Sequence, residues 1–176
     1  MKKLMIGVVI LAGLWFYNNG TDPVSSDAAN GDPVEAFASD DAQMNAAMDA
    51  ALTTLPAFLE NQTDDAGNAI GQTSVKVAFE IGTDAFEIIW VSGFNWDGGV
   101  NMAGFLANQP NYMGDLNAGD RVEFTTDMVR DWSLTEPDGT MWGNYTTRVI
   151  VPQLDADTAA ALNAMLSPDP VPSDWN

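Results

Sequence analysis

The chain has no cysteine and no histidine among its 176 residues. The first absence excludes disulfides, thiolate nucleophiles and cysteine-ligated zinc. The second removes the usual general base near neutral pH and the commonest transition-metal ligand. No cofactor is therefore expected. Positive charge is also scarce: six Lys and Arg face 25 Asp and Glu, for a formal charge of -19. With Lys2 and Lys3 at the start, only Lys76, Arg121, Arg130 and Arg148 remain elsewhere. So acidic a surface repels phosphate and excludes a basic groove, so no nucleic-acid partner is expected. The acidity reads as a solvated surface that keeps the protein soluble.

Apolar residues make up 46% of the chain, the content of a globular protein. The clearest pattern runs from Thr73 to Phe94. Val75, Val77, Phe79 and Ile81 alternate with Lys76, Ala78 and Glu80, and Gly82 to Ala85 breaks the run. Phe86, Ile88 and Trp90 then share one face while Ile89 and Val91 make the second face apolar too. Period-two alternation of β-branched and aromatic residues around a turn predicts a hairpin.

At the N-terminus, Met1-Lys2-Lys3 precedes an uncharged run from Leu4 to Tyr17. The run is nearer a signal-peptide core than a full span, which needs ~17–25 residues. No A-x-A-like cleavage site stands close behind it, and Trp15 and Tyr17 suit an interfacial belt. Residues 1–20 are accordingly expected to be an uncleaved membrane anchor, with a cleaved signal peptide as the alternative. The remainder would then be exported, in the periplasm or outside. Residues 21–38, rich in Asp, Ala, Ser, Gly and Pro, read as a flexible acidic linker.

The folded domain is expected over 39–166. Ser39 and Asp40 suit a helix N-cap, with Asp41 in the first turn. Met44, Ala47, Met48, Ala51, Leu52 and Leu55 then form one apolar stripe, until Pro56 ends or kinks the helix. Asn61–Gly71 is a polar loop whose Asp64, Asp65 and Asn68 lack the spacing of a calcium loop. Past the hairpin, strands are expected over Val100–Ala107, Arg121–Thr125 and Tyr145–Val151. Asp127–Leu134 suits a strand or a helical turn equally. Asp155 or Asp157 caps a last helix through Leu166, and 167–176 is a disordered tail. The links between strands are too short for crossover helices. The class is therefore α+β: a bent antiparallel sheet of five or six short strands, with a partial barrel as the limit of the bend, and an N-terminal and a C-terminal helix packed on it.

Several runs, in order, carry a resemblance: Glu87–Val91, Gly104–Pro110, Leu116–Val122, Asp131-Trp132 and Gly143–Val149, with Thr54–Phe58 upstream. Together they resemble the YegJ-like bacterial domain of unknown function. The chain departs from that family's pattern at Ile88, where His is common, and at Gln109, where Glu is common. The resemblance implies a domain and no reaction.

Polar or aromatic residues within structural segments are the binding candidates: Trp90, Asn108, Asp120, Asp131, Trp132, Tyr145 and Arg148. Arg148 interrupts an apolar strand, and an ion pair with Asp131 or Asp120 is the expected role, ahead of cradling an anionic ligand. Lys76 reads as an edge lysine that discourages aggregation. The expected function is an exported, membrane-tethered, non-catalytic binding domain with a protein partner in the cell envelope. The alternative is a carboxylate-dependent hydrolase of the envelope, with Asp131 and Asp120 or Glu123 as acid and base.

Overall fold

The computed structural model describes residues 6–10, 34–38, 41–83 and 85–175. Two short strands come first, β1 (Ile6–Ile10) and β2 (Val34–Ala38), followed by helix α1 (Ala42–Asn61). The hairpin is β3 (Gln72–Gly82) and β4 (Ala85–Trp96). Next come β5 (Asn101–Leu106), β6 (Arg121–Thr125), β7 (Val129–Thr135) and β8 (Met141–Gly143). Helices α2 (Tyr145–Ile150) and α3 (Ala156–Met165) complete the chain.

Six strands form the antiparallel body in the order β6-β5-β4-β3-β7-β8. The sheet does not close into a barrel, and the α+β class stands. β4 is long enough to take two neighbours on one edge. β5 pairs with its second half and β1 runs parallel beside Phe86–Ile88, with β2 antiparallel to β1.

The alternation in β3 is used on both sides, so all of Val75–Phe79 is buried. Val75, Val77 and Phe79 enter the larger core with Ile89, Val91, Phe94, Met102, Leu106, Val122, Phe124, Trp132 and Leu134. Ala78 and Ile88 enter a smaller one with Met44 and Ile150. Helix α1 serves both. Met44 seals the small core, while Ala51, Leu55, Phe58 and Leu59 fill the large one. The N-cap is Asp41 itself, accepting from the N–H groups of Gln43 and Met44 at 2.9 and 3.0 Å. Pro56 does not end the helix, which holds through Asn61 because Phe58 and Leu59 beyond it are buried.

Three expectations are corrected. Tyr145–Val151 is not the last strand but helix α2 running into a 3-10 turn, despite its β-branched residues. The last strand is instead Met141–Gly143. The tail is not frayed through Trp175: that indole lies 5.7 Å from Trp132 and 6.4 Å from Phe58, centroid to centroid. On the way, Ser167 N–H donates to Met141 and Gly143 N–H to Pro170, so the segment covers the outer edge of β8.

The third correction concerns the membrane. Within the apolar run Leu4–Tyr17, Ile6–Ile10 is a strand paired on both edges, the state its Ile and Val favour. No helix among the described residues is long and apolar enough to cross a membrane. The expected membrane anchor or signal peptide, the tether through residues 4–17 and the localisation built on it are corrected on this finding for Ile6–Ile10; residues 1–5 and 11–20 lie outside the described residues. Val34–Ala38 of the expected linker is likewise a strand; residues 21–33 lie outside the described residues.

Gly143 lies where β8 turns into α2, at φ 69°, and a Cβ there would collide with the Trp132 carbonyl and indole. Gly139, at φ 89° in the preceding turn, faces open space. Replacing Gly139 by Ala should cost about 1–2 kcal/mol, the strain of a left-handed residue. Gly143→Ala adds a backbone clash and should cost about 3 kcal/mol or more. Urea unfolding of both variants checks the order.

Candidate functional site

A helix begins with N–H groups that have no partner inside it. At α2 the residue before the helix, Asn144, is left-handed at φ 55° and offers no side-chain cap. Its amide instead donates to Ser133 Oγ and the Trp142 carbonyl, both at 2.9 Å. The cap comes from β7. Asp131 Oδ1 accepts from Tyr145 N–H at 3.1 Å and Trp132 N–H at 2.8 Å. Its Oδ2 accepts from Thr146 N–H at 2.8 Å and Thr146 Oγ1–H at 2.6 Å.

The counter-charge is Lys76, opposite Asp131 in the β3–β7 register. Its ammonium donates to Thr146 Oγ1 at 2.8 Å and lies 4.8 Å from the centre of the Trp90 ring. Thr146 thus accepts from the lysine and donates to the aspartate, linking the two charges. Lys76 and Asp131 are both completely buried. Burial drives the Lys76 pKa down to about 8, against the pull of Asp131. Burial raises that of Asp131, opposed first by Lys76 and then by Thr146.

A second set of polar contacts adjoins the first. Trp132 Nε1–H donates to Thr54 Oγ1, and Thr54 shares a hydrogen bond with the Tyr145 hydroxyl, both at 2.9 Å. Trp132 also stacks on Phe58 at 4.7 Å and meets Tyr145 edge-on at 5.9 Å. Helix α1, strand β7 and helix α2 meet at this point.

Among the sequence candidates, Asp131, Trp132 and Tyr145 come together here, with Trp90 joined through Lys76. Asn108 and Asp120 do not. Asn108 is buried past the end of β5, and Asp120 closes a turn by accepting from Asn117 N–H at 2.7 Å. Arg148 belongs to α2 rather than a strand, and its expected pairing with Asp131 or Asp120 gives way to carbonyl contacts. It donates to the Gly143 and Ser167 carbonyls at 2.9 and 2.8 Å and to Ser167 Oγ at 3.2 Å, tying the chain's end to α2.

Thr146 gives no signal in the sequence, and the expected role of Lys76 as an edge lysine is corrected. Lys76 is no edge residue: β3 has neighbours on both sides, and a lysine between Val75 and Val77 in a central strand was the available signal. Glu87 was missed as well. It is completely buried, and its carboxylate accepts from Asn111 and Tyr112 N–H at 2.7 and 2.8 Å, fixing the loop after β5.

The proposed hydrolase pair does not exist. Asp131 is enclosed on β7, whereas Glu123 pairs with Arg121 in solvent on β6, with three strands between them. The described residues contain no cluster of three or more metal-ligating side chains. Asp64 and Asp97, the most engaged exposed acids, are occupied by their own loops through Asn68 and through Gly99 and Asn101.

A family profile described as "Uncharacterized protein conserved in bacteria (DUF2314)" matches residues 41–165, most of the chain. The chain belongs to this family. The match replaces the YegJ-like assignment drawn from the sequence. No curated protein and no solved structure matches the chain. In this DUF2314 domain the matched segment begins at the N-cap of α1 and ends with α3, so it contains the whole Lys76–Thr146–Asp131 cluster.

Two outcomes follow from the cluster. Asp131→Ala would leave the Lys76 charge buried and α2 uncapped, and should cost about 3–5 kcal/mol in chemical denaturation. The second concerns pH. Between pH 8 and 10.5 the unfolded chain holds a proton on Lys76 that the folded chain has released, so raising pH favours folding. From pH 8 to 10 the wild type should gain about 2 kcal/mol relative to Lys76→Met, measured by urea unfolding at each pH.

Proposed function

We propose that this DUF2314 domain is not an enzyme, and that it acts through its outer surface rather than through a cleft. One observation carries the reading: the cluster with the most reactive chemistry is sealed. A lysine amine with a pKa near 8, hydrogen-bonded to a threonine hydroxyl, is chemically suited to nucleophilic work. A nucleophile must reach its substrate, however, and neither Lys76 nor Asp131 exposes any surface. Both oxygens of Asp131 are engaged twice: by the Tyr145 and Thr146 N–H groups that the start of α2 requires in any case, by the Trp132 N–H of β7 and by the Thr146 hydroxyl. The cluster is thereby accounted for as architecture.

The outer surface has features of its own. A row across the sheet runs Ser133, Ser74, Ser92, Phe105 and Arg121 on five adjacent strands. It passes from buried Ser133 to exposed Phe105 and Arg121. The row therefore ends at the β6 side of the sheet in solvent-exposed side chains.

Amine acylation tests the sealed cluster. At pH 9 the Lys76 amine is mostly uncharged, so only access limits its reaction with an acylating reagent. In the folded protein Lys76 should stay unmodified in a peptide mass map while reacting readily in urea. Rapid acylation of Lys76 in the native state, faster than the chain unfolds, would sink the non-enzymatic reading.

A further inference from the structure

The two ends of the antiparallel body are treated differently. The β8 edge is covered by residues 166–170, through the Ser167–Met141 and Gly143–Pro170 hydrogen bonds. β6 pairs with β5 alone, and no described residue pairs with its other side. Unpaired strand edges are templates for another strand.

The hydrogen-bond parity of β6 shows which groups face outward. Leu106 N–H donates to Asp120 at 3.0 Å and Thr126 N–H to Val100 at 2.9 Å, flanking the β5–β6 register. In an antiparallel ladder, bonded and non-bonded pairs alternate. Val122 and Phe124 therefore turn their backbone groups toward β5, and Arg121, Glu123 and Thr125 turn theirs outward. The side chains divide in the same way. Val122 and Phe124 are buried, while Arg121 and Glu123 are exposed and joined by a 2.8 Å ion pair on one face.

We infer that the occupant of this edge is a second copy of the chain, paired antiparallel through β6 about a two-fold axis at Val122. This register sets outward-facing Arg121 against the partner's Glu123, and Glu123 against the partner's Arg121. The parity matches, since the residues brought opposite are those with free N–H and C=O groups. The charges alternate around the axis, so each carboxylate lies between two guanidinium groups. Moving the axis to Glu123 opposes that carboxylate to its own copy, which like charges disfavour. Moving it to Phe124 sets Arg121 against the partner's Asp127, beyond the strand in a 3-10 turn. Exposed ion pairs contribute little affinity. Here they select the register, and the backbone ladder and the sheet's continuity supply the contact. The -19 charge of each copy opposes association, so the dimer strengthens as salt screens that repulsion.

This inference names a partner for the surface on which the proposed function rests. Association tests the partner, whereas Lys76 acylation tests the function alone. Sedimentation equilibrium of the full chain should show a concentration-dependent dimer, tighter in about 0.5 M than in about 0.15 M salt. Arg121→Glu opposes four carboxylates across the axis and should weaken the dimer by about tenfold or more. The swap Arg121→Glu with Glu123→Arg restores the alternation and should recover most of the loss. Both positions are exposed, and circular dichroism verifies that each variant folds. A monomer at every concentration, or a dimer indifferent to Arg121→Glu, would overturn the inference. So would failure of the swap to recover association while the single variant weakens it.

Discussion

The Asp131 carboxylate is the constraint on which the rest of the fold depends. Removing a carboxylate from water costs several kcal/mol unless its oxygens are bonded and its charge is balanced. Asp131 has four donors and a cation one strand away. Three of those donors are backbone N–H groups, so the charge and the chain path specify each other. α2 can start only where the carboxylate sits, and the carboxylate can be buried only where α2 starts. Lys76 and Asp131 face each other in only one β3–β7 register. A slip of one residue would set Lys76 against Trp132 or Arg130 and leave the two buried charges apart.

Around this point the packing is arranged in layers. Trp132, next to Asp131 in sequence, projects to the opposite side and stacks on Phe58 of α1. Tyr145, whose N–H is bound by Asp131, turns its ring to Trp132 and its hydroxyl to Thr54. The first two residues of α2, Tyr145 and Thr146, thus join the main core to the ionic cluster. Trp175 closes the same aromatic group from the other end of the chain, and Arg148 secures the segment leading to it.

Local pattern read best where local pattern decides. The hairpin, the stripe of α1, strands β5 and β6 and the Asp155 cap of α3 were all visible as periodicity and turn chemistry. Tyr145–Val151 was misread because its residues favour a strand, whereas the outcome rests on a carboxylate 14 and 15 positions earlier. No window of sequence shows that. Lys76 was misjudged for a related reason: a charge in a strand suggests an edge, and only its pairing with Asp131 makes a central position tolerable. The apolar run near the N-terminus satisfied composition rules for an anchor, but its Ile and Val residues serve a strand equally well. Of the candidate residues, those near Asp131 were found through their chemistry, while Thr146 and Glu87 gave no signal without the fold.

The Glu87 clamp has a consequence for the loop it holds. Tyr112, with 61% of its surface exposed, is the most exposed large apolar side chain among the described residues. Its backbone N–H nevertheless ends on a carboxylate that lies wholly within the protein. A ring presented in this way has surrendered its main-chain freedom before meeting anything. Contact there would carry little further entropic penalty beyond the rotation of one side chain.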